Sequence, residues 1–532
     1  MRHARSADAT RRDATRRDAT PRRRPPGCCH ATPTRTDQPT ELEGAALPRF
    51  AAGPVLAIAG ATSLVLLLNS GRGGYLADEV YFIRAGNRPS FGYADQPPLV
   101  PLLARFLDDL FPGLAGVAAA ADDAARRRGR GAERAARQGV QRVRGRAQWL
   151  AAAAYPLSPL LLGFGRVLAT YSIDPVLWTL AIWLLVRWLR LWHHGVRADR
   201  YLLLFGLVIA LDVQVKYLVG GFLVVLAVAV LAVGPRRLLL RPMLWLGAAV
   251  TVLTMIPGVL WQASHGWPQL EMAQVLSKGA KLIWEPAWFV PAVVVGAGLP
   301  GGFLLCAGLW RLVRTEQLRP YRCLGWAAIG TTVLFAVTGG GFYYAAGLLP
   351  LGVAAATPSG SNPAAARWWR WVPTVPACVV AAVLVGVSTF ATATPGMGLS
   401  GGWSEVAKGT AAAYRDLPAQ QRDRTVVMAH WYFQAAAVEK FGPRYGLPER
   451  VYSSNRGYWY FGAPPAGTER VLYVGGSARE LRRSFGNVRR VDTVDGLGSG
   501  TAGSNKDVPL WECTDPRWPW PELWRDQLRR PF

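Results

Sequence analysis

The sequence predicts an α-helical polytopic membrane protein that carries a small C-terminal α/β domain. Three observations predict it. Hydrophobic residues make up 51% of the 532 positions and the mean hydropathy is +0.14, more apolar than a soluble chain of this size. These residues gather in runs of about 16 to 25, the length that crosses a bilayer as a helix. From about residue 396 onward such runs stop, and strand-like segments (Thr425 to Ala429, Arg470 to Val474) alternate with helical ones (Trp403 to Tyr414, Gln434 to Phe441).

The candidate spans are 51–69, 148–165, 173–191, 201–216, 218–234, 243–261, 287–310, 323–338, 341–357 and 372–392. The pair at 201–234 is the weakest, because Asp212 and Lys216 interrupt it. Four basic linkers, Arg187 to Arg200, Arg236 to Arg241, Arg311 to Arg322 and Arg367 to Arg370, belong in the cytoplasm by the positive-inside rule. The chain therefore divides into a disordered basic tail (1–48), a transmembrane region (49–395) and an extracytoplasmic region (396–532), in a multi-pass plasma-membrane protein. The tail holds an imperfect DATRR repeat and Arg pairs, but no apolar stretch follows closely enough for a twin-arginine signal.

Counting crossings exposes an anomaly. Span one leads outward, so 70–113 lies outside, while the linker at 187–200 lies inside. Only two spans separate them, so one crossing is missing between about 114 and 147. That interval carries nine arginines between Arg126 and Arg146, each costing ~2.5–3.5 kcal/mol at the centre of an inserted helix. Apolar sequence resumes abruptly at Gln148-Trp149-Leu150. A frameshift near Val117, reversed near Ala147, reconciles these facts; a native basic loop does not restore the parity.

The formal net charge of +26 raises the question of nucleic acid. The arginines sit between apolar runs and in the tail, without zinc-finger spacing or an aromatic RNA-binding motif, so no nucleic-acid partner is expected. The six cysteines form neither a disulfide framework nor a metal spacing. Walker, Rossmann and HExxH patterns are absent from the sequence.

The first outer loop, GYLADEVYFIRAGNRPSFGYADQPPLVPLLARF, is the most informative segment. It places Asp78 and Glu79 just beyond span one, among Tyr75, Tyr81, Phe82 and Tyr93, and follows them with Asp95-Gln96-Pro97-Pro98. Adjacent acids at a membrane surface are usually solvated; acids set among aromatic and apolar neighbours suit a carboxylate held over a membrane-surface pocket.

The DE pair and the GYADQPPL segment resemble the first periplasmic loop of the GT-C superfamily, specifically glycosyltransferase family 39, which includes protein O-mannosyltransferases and the aminoarabinose transferases of lipid A. The resemblance continues through SPLLLGFGRVLATYSIDPVLW, LDVQVKYLVG, WQASHGWPQLE and GGGFYYAAGLLPL. AAAVEKFGPRYGLPERVYSSNRGYWYFGAPP looks like the extracytoplasmic domain of actinobacterial members. It spans about residues 50–116 and 148–532.

The resemblance implies transfer of a sugar from a polyprenyl-phosphate donor to a protein, lipid or glycan acceptor, with inversion. Asp78 then stands as general base with Glu79 beside it, since an acceptor hydroxyl must lose its proton as it attacks. A cation should meet the lipid phosphate. Lys216 is the first candidate and Arg166 the second; Asp174 resembles the family's second acid and completes the donor site. Tyr81, Asp95 and Gln96 fall to the acceptor. Family members often carry a lysine where this chain reads Gly339-Gly340-Gly341-Phe342, which removes one phosphate contact. No protein metal site is read from the sequence, and no cofactor beyond a possible divalent metal is implied. His265 reads as a residue of the membrane interface. The aromatic stretch Tyr458 to Phe461 is either a sugar-stacking surface or core packing. The competing readings are a polytopic transporter or lipid flippase, which should show internal repeats and broken spans, a non-catalytic membrane scaffold, which would tolerate Asp78→Asn, and a family member inactivated by the altered 117–147 stretch.

Overall fold

The computed structural model describes residues 75–111, 167–283, 286–356, 402–496 and 506–530, with single positions at 60, 158 and 383. The basic tail, Arg166 and the anomalous interval 117–147 lie outside the described residues. So do the expected spans 51–69, 148–165 and 372–392, save for those single positions.

Two short helices come first. Helix α1 (Ala77–Gly86) opens with Asp78 and Glu79 in its first turn, where acids complement the exposed N–H groups and the helix dipole. Glu79 reaches back to accept the Leu76 N–H at 2.9 Å. Helix α2 (Leu99–Leu110) starts behind Pro97-Pro98, whose fixed φ suits the first turn.

The bundle follows: α3 (Thr170–His193), α4 (Arg200–Asp212), α5 (Val219–Val233), α6 (Pro242–Ser264), α7 (Pro268–Ile283), α8 (Pro286–Gly296), α9 (Leu299–Arg314), α10 (Arg322–Thr338) and α11 (Leu349–Ala356). Among the described residues, α3, α6 and the stretch Glu316–Thr338 that contains α10 are each long and apolar enough to cross a membrane. Glycines let the helices approach closely. A Cβ on Gly206 of α4 would lie 2.3 Å from the Gly247 Cα of α6, and one on Gly308 of α9 would lie 1.8 Å from the Gly352 carbonyl oxygen of α11. Small residues at helix contacts are the usual means of packing in lipid.

Two expected spans are broken. The run at 287–310 is two helices, α8 and α9, bent by 113°. Gly298 takes φ +79 at the corner, a left-handed conformation that glycine adopts without strain, and Pro300 opens the next helix. The run at 341–357 begins as a 3-10 segment, Phe342–Leu348, before α11. Its Gly347 lies against Trp178, where a Cβ would come within 2.5 Å of that side chain. The interruption expected at Asp212 and Lys216 is the turn 213–218 between α4 and α5.

Three of the four basic linkers, 187–200, 236–241 and 311–322, meet at one end of the bundle, and the fourth, 367–370, lies outside the described residues. Asp199 accepts the Trp188 indole N–H at 2.9 Å and pairs with Arg241 at 3.6 Å. At the opposite end, the Leu99 N–H of α2 donates to the Gln214 carbonyl at 3.1 Å. There the side chains of Gln262 and Gln269 both donate to the Tyr93 carbonyl, at 3.0 and 3.1 Å. Gly92 lies flat on Trp261, with no room for a Cβ. The 87–98 loop is thus fixed from three sides.

The C-terminal region is α/β, as its pattern predicts. Strands β1 (Thr425–Ala429), β2 (Val451–Tyr452), β3 (Arg470–Val474), β4 (Phe485–Val494) and β5 (Val508–Pro516) form one sheet of order β2-β1-β3-β5-β4. β1 runs parallel to β2 and β3; β5 runs antiparallel to β3 and β4. Helices α12 (Trp403–Arg415) and α13 (Tyr432–Phe441) pack beside it. The core is continuous with the α1–α2 segment: Val80, Tyr81 and Phe82 cluster with Val427, Val438, Tyr458 and Val474. The alanine row Ala435 to Ala437 brings α13 close to α1, and the Trp403 indole donates to the Tyr75 carbonyl at 2.8 Å.

Candidate functional site

Asp78 sits where α1 meets the C-terminal region. Its Oδ1 accepts the Tyr432 hydroxyl at 2.8 Å and an Arg456 N–H at 3.3 Å. Arg456 also pairs through Nε with Asp95 at 3.1 Å, and Asp95 accepts the Tyr81 hydroxyl at 3.0 Å. The guanidinium lies over the Tyr432 ring, 4.4 Å from its centroid. Two carboxylates from the first loop are therefore held by one arginine and one tyrosine of the C-terminal region. Burial pushes the Asp95 carboxyl above its ordinary range, against the pull of Arg456.

Arg456 has φ +52. For a residue with a Cβ, that conformation costs about 1–2 kcal/mol, and such strain persists where the surroundings over-determine it. Here the surroundings include the Arg456 N–H donating to the Arg530 carbonyl at 3.2 Å. They also include Gly457, whose backbone presses so closely on the Tyr81 hydroxyl that a Cβ would come within 1.8 Å.

A second layer locks this junction. Glu439, 2% exposed, accepts from Arg88 at 2.7 Å, Arg84 at 3.3 Å and the Tyr458 hydroxyl at 2.5 Å. Lys440 pairs with Asp108 of α2 at 2.6 Å. Arg88 also lies over Phe461, 4.8 Å from the ring centroid.

Tyr171, Tyr343, Tyr344 and Lys216 form a neighbouring group. The Lys216 ammonium lies over the Tyr344 ring at 3.9 Å and 5.7 Å from the Tyr343 centroid. Tyr171 meets Tyr343 edge-on at 5.9 Å, and both are within electrostatic reach of Asp78. Asp174, in the second turn of α3, and Asp212, at the end of α4, are both within electrostatic reach of Lys216. Asp174 is 4% exposed and Asp212 is fully buried.

The structure redistributes the residues expected from sequence. Asp78, Lys216 and Asp174 come to one region. Glu79, expected beside Asp78 in catalysis, is buried; its carboxylate accepts the Leu76 N–H at 2.9 Å and the Leu168 N–H at 2.7 Å, so it fastens two backbone segments. Tyr81 and Gln96, expected to meet the acceptor, are buried too, as is the side chain of Asp95. Tyr81 and Asp95 hold the carboxylate cluster, and the Gln96 main chain closes a turn onto the Tyr93 N–H. Arg456, Tyr432 and Asp212 join the site without having been singled out for it. Among the described residues no group of three or more His, Cys, Asp or Glu side chains is placed to hold a metal ion. The Tyr458 to Phe461 stretch splits: Tyr458 is core, while Tyr460 lines a cleft with Trp261 and His265.

No family model and no curated protein matches the chain. Among solved structures, the crystal structure of ArnT from Cupriavidus metallidurans bound to undecaprenyl phosphate aligns with a TM-score of 0.52. The alignment covers 87% of this chain and 98% of that chain at 14% identity. The chain has the fold of that structure. It is a multi-pass membrane protein whose short first-loop helices and C-terminal sheet pack together at one end of a helix bundle.

Proposed function

We propose that this protein is a GT-C glycosyltransferase that moves a sugar from a polyprenyl-phosphate donor to an acceptor hydroxyl, with inversion, in the manner of family 39. The observation that carries the reading is the placement of Asp78. It is an acid of the first loop, fixed by Tyr432 and Arg456, within electrostatic reach of Tyr171 and Tyr343, and Tyr343 and Tyr344 in turn lie against Lys216. Undecaprenyl phosphate in the ArnT structure supports a polyprenyl-linked donor.

In this reading Asp78 takes the acceptor proton as the hydroxyl attacks the anomeric carbon, a contribution of about 10²–10⁴ in rate. The same carboxylate favours the oxocarbenium character of the reacting sugar. The departing lipid phosphate gathers negative charge, which Lys216 and neighbouring tyrosine hydroxyls are placed to receive. Purified full-length protein in lipid nanodiscs, offered labelled polyprenyl-phosphate hexose and pentose donors, tests the reading through release of polyprenyl phosphate. Absence of release from every donor, in a preparation that remains folded, would end it.

Lys216→Ala should weaken undecaprenyl phosphate binding by about tenfold or more, whereas Lys216→Arg should retain most of it, because a phosphate contact needs a cation. Equal affinity in both variants would leave Lys216 as an anchor on Tyr344 alone.

The reading also places the C-terminal region outside the cytoplasm. The basic linkers Arg187–Arg200, Arg236–Arg241 and Arg311–Arg322 favour the cytoplasm, and they lie at the bundle end opposite Asp78. Reporter fusions after residue 400 should be active only when the reporter works outside; activity of a cytoplasm-only reporter there would reverse the topology.

A further inference from the structure

We propose that the cleft next to Asp95 is the acceptor subsite, and that its ligand is a carbohydrate bearing an oxyanion. This rests on the glycosyltransferase reading. The cleft has a volume of about 630 Å³, within the range of small-ligand sites and large enough for a short saccharide. Three separate parts of the chain build it: the first loop gives Arg88, the end of α6 gives Trp261 and His265, and the C-terminal region gives Arg450 and Tyr460.

Its walls have two kinds of chemistry. One is aromatic. Trp261 stacks on His265 at 4.1 Å and 14°, and Tyr460 stands 6.0 Å from both. Rings grouped in this way offer apolar faces with polar tips, which suits a sugar ring that presents C–H on its face and hydroxyls at its edge. The Trp261–His265 pair is held in place: the His265 Nδ1 is 2.8 Å from the Trp261 carbonyl oxygen, and Gly92 backs the indole.

The other wall is cationic. Three guanidinium groups, Arg84, Arg88 and Arg450, face two carboxylates, Glu439 and Glu449. Glu439 is already shared by Arg84 and Arg88. Arg450 is exposed and donates to the Phe461 carbonyl at 3.1 Å, which leaves it donors for a ligand carboxylate or phosphate.

The cleft also borders the acid cluster. Ala94 and Gly457 line it, and they adjoin Asp95 and Arg456 in the chain. Gly457 rests on the Tyr81 hydroxyl that donates to Asp95. The cleft thus shares a wall with the Asp95–Arg456 pair, and Arg456 in turn holds Asp78, the group assigned as base.

The test uses full-length protein in nanodiscs and three probes: a glucuronic-acid-terminated disaccharide, its neutral glucose counterpart and a serine/threonine-rich peptide. Binding is read by tryptophan fluorescence and undecaprenyl phosphate binding is measured in parallel. The acidic disaccharide should bind most tightly. Arg450→Gln, at an exposed position, should weaken it by about tenfold and remove the preference over the neutral sugar. Tyr460→Ala should weaken both sugars, and neither variant should change undecaprenyl phosphate binding. Saccharide affinity unaltered in both variants would overturn the subsite, as would tighter binding of the peptide. If saccharides bind as described while no donor releases polyprenyl phosphate, the site stands as a carbohydrate-binding cleft and the transferase reading fails on its own.

Discussion

Asp78→Asn should abolish sugar transfer while leaving fold and donor binding in place. The substitution is close to isosteric. The new carboxamide oxygen still accepts the Tyr432 hydroxyl and the Arg456 N–H that meet Oδ1, at 2.8 and 3.3 Å in the native chain. Arg456 also keeps its partner Asp95. What disappears is the negative charge and the basic lone pair. Loss of a general base lowers turnover by about 10²–10⁴, and here the same change removes a charge beside the oxocarbenium-like centre, so the upper part of that range is expected. Turnover is read as polyprenyl phosphate release in a single-turnover experiment, and donor binding as undecaprenyl phosphate affinity. Native turnover in the purified variant would refute the assignment. Loss of turnover together with loss of thermal stability would move Asp78 from chemistry to the fold.

How much of this was legible in the sequence follows from the range of each interaction. Strands β1 and β3 fall at their predicted bounds because both are short, rich in valine and bounded by polar residues. β4 is not read as a strand because FGNVRRVDTV lies largely at the surface and has no apolar face to betray it. β5 places proline at its second position, a residue that argues against strand. The break at Gly298 hides inside a run whose hydropathy is continuous, since glycine and proline scarcely interrupt an apolar window. Hydropathy reports the cost of leaving water, not the path of the backbone.

The site divides along the same line. Asp78, Asp174 and Lys216 are visible because each interrupts or flanks an apolar run, where an ionisable group asks for a reason. Asp212 is visible as an interruption, but nothing local pairs it with Asp174; the packing of α3 on α4 does that. Glu79 and Asp78 are indistinguishable as an adjacent pair. Helix geometry separates them, since one turns toward Tyr432 and the other toward the Leu168 amide. Tyr432 and Arg456 meet Asp78 across 354 and 378 positions of chain, and no periodicity reaches that far.

Arg456 carries the second large effect. Arg456→Ala leaves Asp95, whose side chain is 1% exposed, without its counter-charge, and removing one partner of a buried pair costs about 3–5 kcal/mol. The loss should depend on pH, and its direction follows from Asp95. Burial already holds that carboxyl above its ordinary value while Arg456 pulls it down. Without Arg456 it rises further. A carboxyl raised in the folded state binds more protons there than in the unfolded chain, so stability falls as pH rises past the unfolded value. The variant's deficit against the native chain should therefore be small near about pH 5 and larger near about pH 8, read as the difference in apparent melting temperature at each pH. A deficit that is equal at both ends, or absent, would show that Arg456 does not compensate Asp95. Arg456→Lys separates positioning from charge. Lysine keeps one cation but cannot offer the planar fork that reaches Asp78 and Asp95 together. It should keep most of the stability and lose about tenfold or more in turnover, because the base is no longer held in one orientation. Undecaprenyl phosphate affinity should not change. If affinity falls instead of turnover, Arg456 touches the lipid phosphate, and the C-terminal region contributes to donor binding rather than to the placement of Asp78.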